Sequence, residues 1–233
     1  MPSKAADTFS FQRFTIDQAG AAHRVGEDSI LFGGWVDLTG ARIVLDVGTG
    51  TGILSLIAAQ RSLAHITALE IQPDQVALAR RNVTSSPFAE RVVVVESDFS
   101  AFDACKADHI LSNPPYFLTG SQASGVRGAA RHLQSEWQVW MKRFRGNSVP
   151  GGLLSLVLPL ERRAEVMAQA LEHGWFRQRE CHVRAHNAIA AHLMLVTFGP
   201  QPVSGLEVEH VCVRDKEGRY HPSFQQYTSD LYL

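Results

Sequence analysis

Only three of the 233 residues are cysteine, Cys105, Cys181 and Cys212. An odd and widely spaced set excludes a disulfide framework and fits reduced thiols. No apolar run approaches the ~20 residues that span a bilayer, and Met1-Pro2-Ser3-Lys4 opens no apolar leader segment. A cytoplasmic protein is therefore expected, with no membrane partner. A basic excess is also missing. The 22 Lys and Arg are matched by 23 Asp and Glu, for a net charge of −1, so the chain as a whole lacks the positive field that dominates nucleic-acid affinity. Repeats and low-complexity tracts are absent too. Metal ligands at a recognisable spacing are missing as well: Cys181, His182, His186 and His192 invite a zinc reading, but His182, Arg184 and His186 recur at period two, as on an exposed strand face. No metal is expected. His65 and His109 fall in strand patterns and are read as core or strand-end residues.

Apolar material is plentiful. At 45% hydrophobic residues, a chain of this length builds one compact domain that buries roughly 70% of its unfolded surface. The expectation is a single domain over residues 1–233, with residues 1–10 and the turn Gly199-Pro200-Gln201-Pro202 as the only tail-like segments.

The first informative pattern is strand, glycine turn, helix. Arg42-Ile43-Val44-Leu45 is a β-branched run that stops at Asp46, and Ile53 to Gln60 has helical patterning. Between them lie Gly48, Gly50 and Gly52, which allow positive φ and remove Cβ atoms from the approach to the helix start. A second strand, Ile66-Thr67-Ala68-Leu69, ends at Glu70, an acidic group placed to accept ribose hydroxyls. The unit predicts an adenosine-containing cofactor. A dinucleotide fold wants its third glycine one turn into the helix, whereas this spacing is G-x-G-x-G with Asp46 in front. A carboxylate there suits a cationic, phosphate-free ligand and would repel a pyrophosphate. S-adenosylmethionine is therefore expected. A third strand, Val92-Val93-Val94-Val95, leads to Asp98, a candidate acceptor for the adenine amino group, and Phe99, a candidate cover for its face.

A fourth strand, Ala107 to Ser112, delivers Asn113-Pro114-Pro115-Tyr116 to a carboxyl strand end beside the same crevice. An exocyclic amine on adenine is a poor nucleophile because its lone pair is delocalised into the ring. The Asn113 side-chain oxygen and the Pro114 carbonyl can each accept one N–H and aim the nitrogen lone pair at a methyl donor. The prolines Pro114 and Pro115 fix φ and remove competing N–H groups. Tyr116 offers a face for an extruded base, extended by Phe117.

Local charge departs from the average. Between Gln122 and Asn147, Arg127, Arg131, Lys142, Arg143 and Arg145 face Glu136 alone. Arg127 and Arg131, beside the Gly120 to Gly125 run, are candidates for a phosphate backbone. Lys142, Arg143 and Arg145 read instead as the solvated side of an amphipathic helix carrying Trp137, Trp140, Met141 and Phe144. Downstream, Gly152 to Pro159 reads as a strand, Arg162 to His173 as a helix ended by Gly174, and Phe176 to Val183 and Leu193 to Phe198 as two further strands.

The chain resembles the class I methyltransferases that act on planar amino groups, and more narrowly the tRNA(valine) N6-adenosine-37 methyltransferase family. The likeness is carried by Phe11-Gln12-Arg13-Phe14, by Arg24 through Trp35, by Asn82 with Ser86-Pro87-Phe88, by Asn113 to Phe117, by Ala130-Arg131-His132 and by Tyr220 through Leu233. Arg24, Glu27 and Ser29 depart from the Lys, Thr and Gly usual in that family. The resemblance implies a Rossmann-like α/β fold with a seven-stranded, mostly parallel sheet and a closing antiparallel strand. It also implies that residues 1–40 form an extension contributing Gly26, Asp28 and Ser29 to the cofactor site, and that His132 joins Arg127 and Arg131 on the RNA. The activity implied is methyl transfer from S-adenosylmethionine to N6 of adenosine 37 in the anticodon stem-loop of a tRNA. The Asn-Pro-Pro-Tyr chemistry alone also suits a protein glutamine amide or an rRNA guanine N2, and a non-catalytic RNA-binding module on a cofactor fold is the remaining alternative.

If Arg131 meets phosphate, Arg131→Ala weakens RNA binding and lowers the salt dependence of log K by about one phosphate contact; titration at several salt concentrations reads this, and an unchanged slope returns the residue to the protein surface.

Overall fold

A computed structural model describes residues 7–114 and 137–232. A small antiparallel hairpin, β1 (Thr8–Ser10) with β2 (Thr15–Asp17), precedes helix α1 (Glu27–Trp35). The alternating units then follow: β3 (Ile43–Val47), α2 (Ile53–Arg61), β4 (His65–Glu70), α3 (Pro73–Thr84), β5 (Val92–Glu96) and β6 (Ala107–Ser112). Helix α4 occupies residues 137–146. The chain continues through β7 (Ser148–Pro159), α5 (Arg163–Glu172), β8 (Phe176–His186), β9 (Leu193–Gly199), β10 (Val208–Arg214) and α6 (Pro222–Thr228).

The large sheet has the order β10-β8-β9-β7-β6-β3-β4-β5. Strand β9 runs antiparallel to both its neighbours, and every other pairing is parallel. The expected mostly parallel sheet with its closing antiparallel hairpin is present, with eight strands instead of seven. The added strand, β10, is Val208-Glu209-His210-Val211-Cys212-Val213-Arg214, whose mixed polarity suits an edge. The tail expected over residues 1–10 is corrected in the same way, since Thr8–Ser10 pairs with Thr15–Asp17.

Covered parallel strands are apolar on both faces, and the residues divide accordingly. Val44 of β3 joins a core with Leu31, Phe32, Ile57 and Phe224, while Leu45 and Val47 join another with Phe99, Met141, Phe144 and Trp175. Strand β9 is buried at every position, as its interior place requires. His109 of β6 is fully enclosed; its Nε2 lies 2.8 Å from Ser155 Oγ, which meets Thr197 Oγ1 at 2.7 Å, and burial lowers its pKa to about 4, so the ring is neutral. His65, at the start of β4, is exposed. Helix α5 stops where expected: Gly174 adopts φ +71°, and its N–H and that of Trp175 close on Leu171 and Ala170 carbonyls at 3.1 and 2.9 Å.

Two glycines inside α1 cost helix propensity, about 1 kcal/mol each against alanine. Their reason is close packing. A Cβ on Gly33 would press on the Ile57 side chain, and one on Gly34 would collide with the Tyr227 carbonyl of α6. Arg179 of β8 completes the joint: it pairs with Glu209, donates to the Trp35 carbonyl at 2.7 Å and lies 4.3 Å from the Trp35 ring centroid. The Gln12 N–H bonds the Leu231 carbonyl at 2.9 Å, so the amino-terminal hairpin and the segment after α6 lie together.

Glu180 of β8 is buried, and its carboxylate accepts Arg163 at 2.6 Å, Arg177 at 2.6 Å and His182 at 2.7 Å. Burial alone would raise its pKa; the hydrogen bonds from Arg163, Arg177 and His182 outweigh it and hold the group at about 2. Because the folded value lies below the ordinary 4.5, the stabilisation is complete above pH 4.5 and is lost as pH falls toward 2. Glu180→Gln is expected to cost about 2 kcal/mol at pH 7 in urea unfolding, a deficit that shrinks below pH 4.5.

Candidate active site

Strand ends β3, β4, β5 and β6 converge on one cleft of about 560 Å³. It is lined by Gly26, Asp28 and Ser29 from the start of α1, by Gly48, Gly50 and Glu70, by Asp98 and Phe99, and by Asn113 and Pro114. These ten expected residues are thus brought together from segments spread over almost ninety positions. Pro115, Tyr116, Phe117, Arg127, Arg131 and His132 lie outside the described residues.

The glycine loop is tied down from below. Gly48 and Thr49 N–H groups bond the Leu69 carbonyl at 3.0 and 2.9 Å, Gly52 N–H bonds Thr49 at 2.9 Å, and Gly50 N–H bonds Glu70 Oε2 at 3.0 Å. Gly48, Gly50 and Gly52 take φ of +77°, +55° and +85°, a region only glycine enters freely. A phosphate cradle needs free amides aimed outward; here the amides of 48, 49, 50 and 52 are already bonded inside the protein. The arrangement fits an adenosine ligand without phosphates.

Asp46 corrects one expectation. It is fully buried and does not line the cleft, so it does not face a ligand cation directly. The strand pleat explains this, because Val47 is turned to the cleft and Asp46 toward α2. Its Oδ2 accepts Thr49 Oγ1 at 2.6 Å and Ser55 Oγ at 2.7 Å, while burial raises its pKa. The carboxylate occupies the positive end of α2, where a phosphate would otherwise be stabilised. Gly52 also stands outside the cleft lining and serves as the N-cap of α2.

Glu70 holds three backbone amides, Gly50 on Oε2 and Ile71 and Gln72 on Oε1 at 2.9 and 3.0 Å. Asp98 is exposed and accepts Ser100 N–H at 2.8 Å. Phe99 is buried and packs edge-on against Trp140 at 5.5 Å. Asn113 is half-buried, with Nδ2 donating to Ser29 Oγ at 3.0 Å. Asp28 lines the cleft with its pKa raised by burial.

Two groups were missed in the sequence. Trp140 was grouped with the apolar stripe of α4, yet it borders the cleft while Trp137, Met141 and Phe144 fill the core. Gln75 of α3 accepts Ala22 N–H at 3.0 Å and donates to the Gly20 carbonyl at 3.1 Å, fixing the rim. The available signal was a pair of buried polar residues, Gln75 and Asn82, seven positions apart on an otherwise apolar helix face. Arg145, assigned to a solvated face, lies instead over the Trp175 ring at 4.9 Å. His182 is paired with Glu180, and among the described residues no group of three or more His, Cys, Asp or Glu is placed to hold a metal.

This glycine loop and strand order define a class I methyltransferase fold. A crystal structure described as a predicted O-methyltransferase from Agrobacterium tumefaciens superposes with a TM-score of 0.69 at 20% identity, covering 87% of this chain and 96% of that one. Residues 26–149 match the family described as the methyltransferase small domain. Two curated relatives are named tRNA1(Val) (adenine(37)-N6)-methyltransferase: one from Tolumonas auensis, 38% identical over 97% of each chain, and one from Shewanella amazonensis, 37% identical over 97% of this chain and 98% of its own. The chain belongs to their family.

Asn82 joins the rim to the loop: its amide accepts Asp17 N–H at 2.8 Å and donates to the Asp17 and Thr51 carbonyls at 2.9 and 2.8 Å. Asn82→Ala is expected to cost about 3 kcal/mol in urea unfolding. Amide exchange over residues 17–25 should rise in the same variant, and an unchanged rate there would show that the rim is held by other contacts.

Proposed function

We propose that this protein transfers a methyl group from S-adenosylmethionine to the exocyclic N6 of adenosine 37, beside the anticodon of a tRNA. The relatives' shared name supports the reaction and the acceptor. The observation that carries the reading is the position of Asn113-Pro114 on the lip of the cleft formed by the glycine loop. Committed loop amides, a glutamate at the second strand end and an aromatic pair, Phe99 with Trp140, fit an adenosine-bearing, phosphate-free cofactor better than a dinucleotide. Glu70 and Asp98 would take the ribose and adenine ends, and Gly26, Asp28 and Ser29, from the extension over residues 1–40, the methionine end.

When bound, that cofactor supplies an electrophilic methyl on a sulfonium. The protein's part is geometric. Asn113 Oδ1 and the Pro114 carbonyl accept the two amine protons, which draws the nitrogen out of conjugation and points its lone pair into the cleft. Pro115 restricts the backbone that carries the second acceptor. Tyr116 and Phe117 stack the extruded base, and Arg127, Arg131 and His132 meet the RNA backbone. No strong base is required, because the methylated amine is acidic enough to release its proton to water. Among the described residues no helix is long and apolar enough to cross a membrane; a tRNA acceptor supports the reading of a cytoplasmic protein, and the continuous eight-stranded sheet supports that of a single domain.

Incubation with methyl-labelled cofactor, total tRNA, rRNA and protein, followed by mass spectrometry, is expected to give N6-methyladenosine at position 37. Label on a glutamine amide or a guanine N2, or no label, overturns the assignment. Asn113→Ala is expected to cut kcat by a factor on the order of 10² with cofactor affinity nearly unchanged in calorimetry.

A further inference from the structure

We propose that Ser29 is a positioning residue for the methyl transfer, its hydroxyl holding the Asn113 amide so that the oxygen end meets the substrate amine. The proposal rests on the role of Asn113 given above and adds the group that makes that role reliable. A primary amide has two ends of nearly equal shape, and its terminal torsion is broad and roughly two-fold. Only one orientation is productive, because an amide NH2 facing an amine presents donor to donor. Something in the protein must select the other.

The structure places Ser29 Oγ 3.0 Å from Asn113 Nδ2. With the nitrogen end bonded to α1, planar amide geometry turns Oδ1 away from that helix. A hydroxyl alone accepts or donates, so the electrostatic surroundings decide the direction. Asp28 is the adjacent residue and lines the same cleft. The NH2 end, which the structure has bonded to Ser29, is the end that an acidic wall favours.

Both ends of the bond are rigidly mounted. Asn113 follows Ser112, whose Oγ donates to the Val47 carbonyl at 2.8 Å and fixes β6 against β3. Ser29 sits on a helix held from several directions. Arg61 of α2 donates to the Gly33 and Val36 carbonyls at 2.8 and 2.6 Å, Arg179 of β8 holds Trp35, Gly34 lies against Tyr227 of α6, and Glu27 is paired with Arg214 of β10. Residues so far from the cleft have no chemistry to perform; their effect is to set the position of the α1 amino-terminal turn against the end of β6. Alanine is well tolerated in a helix, so Ser29→Ala removes the hydroxyl without threatening the fold.

The test has two parts. In side-chain amide NMR of the unliganded protein, one Asn113 Nδ2 proton is expected to move upfield in Ser29→Ala and to stay near its original position in Ser29→Thr, which keeps the hydroxyl. In steady-state kinetics with tRNA at saturating cofactor, Ser29→Ala should lower kcat by a factor of about ten while KM for tRNA changes less than about twofold, with Ser29→Thr largely restored. In an Asn113→Ala background, Ser29→Ala should cost nothing further, since its effect passes through the missing amide. Unaltered Asn113 resonances, an unchanged kcat in Ser29→Ala, or full multiplication of the two losses would each overturn the proposal. A parent protein inactive on tRNA but showing the amide shift would instead refute the acceptor assignment and leave the Ser29–Asn113 contact established.

Discussion

The cleft depends on a carboxylate that never reaches it. Asp46 has no solvent exposure, lies at the start of α2 and accepts the Thr49 and Ser55 hydroxyls. That contact spans the turn between β3 and α2, in which Gly48, Gly50 and Gly52 adopt positive φ. The loop amides then fall against Leu69 and Glu70 instead of the cleft. The Asp46 side chain, bonded to Ser55 in the first turn of α2, already occupies the helix start that a phosphate would need. A ligand entering above the loop meets Val47, glycine backbone and Glu70, a surface suited to a flat nucleoside and without a place for a pyrophosphate.

The opposite wall is built by distant parts of the chain. The rim over residues 17–29 has little secondary structure before α1, and its stiffness comes from two amides of α3, Gln75 and Asn82, and from the packing of α1 on α2, β8 and α6. Sheet edge and site are thereby connected. Strand β10 carries Glu209 and Arg214, one anchoring Arg179 at Trp35 and the other pairing with Glu27, so an edge addition to the sheet supports the helix that borders the cleft.

Much of this was legible in the sequence, for identifiable reasons. The glycine loop, the acidic ends of successive strands and Asn113-Pro114 are features of backbone conformation and strand-end placement, which local pattern encodes directly. Strand β6 matches the sequence expectation to the residue and α2 to within one, because Asn113-Pro114 closes the one and the glycine turn opens the other. The side of the strand on which Asp46 would fall was not legible, since the pleat direction depends on what packs against each face. Trp140 was absorbed into the core stripe of α4, because an indole at the edge of an apolar stripe looks the same whether it meets protein or a cleft. The β1–β2 hairpin has strands of only three residues each, and β10 mixes polar with apolar positions and finds its partner in β8, on the far side of β9 in sequence. Gln75 left a signal, a polar group on a buried helix face, whose meaning requires knowing what lies opposite.

The Glu27–Arg214 pair closes a separation of 187 residues, and Gln12 reaches Ser229 across 217. Contacts of such span raise contact order, and folding slows as the share of non-local contacts grows. During vectorial synthesis at about 5–20 residues per second, the βαβ units around the glycine loop have their partners within reach early, whereas α1 waits many seconds for β10 and α6. A ribosome-bound chain therefore holds a nearly complete nucleoside shelf with an unbraced lip, and competence arrives in one late step.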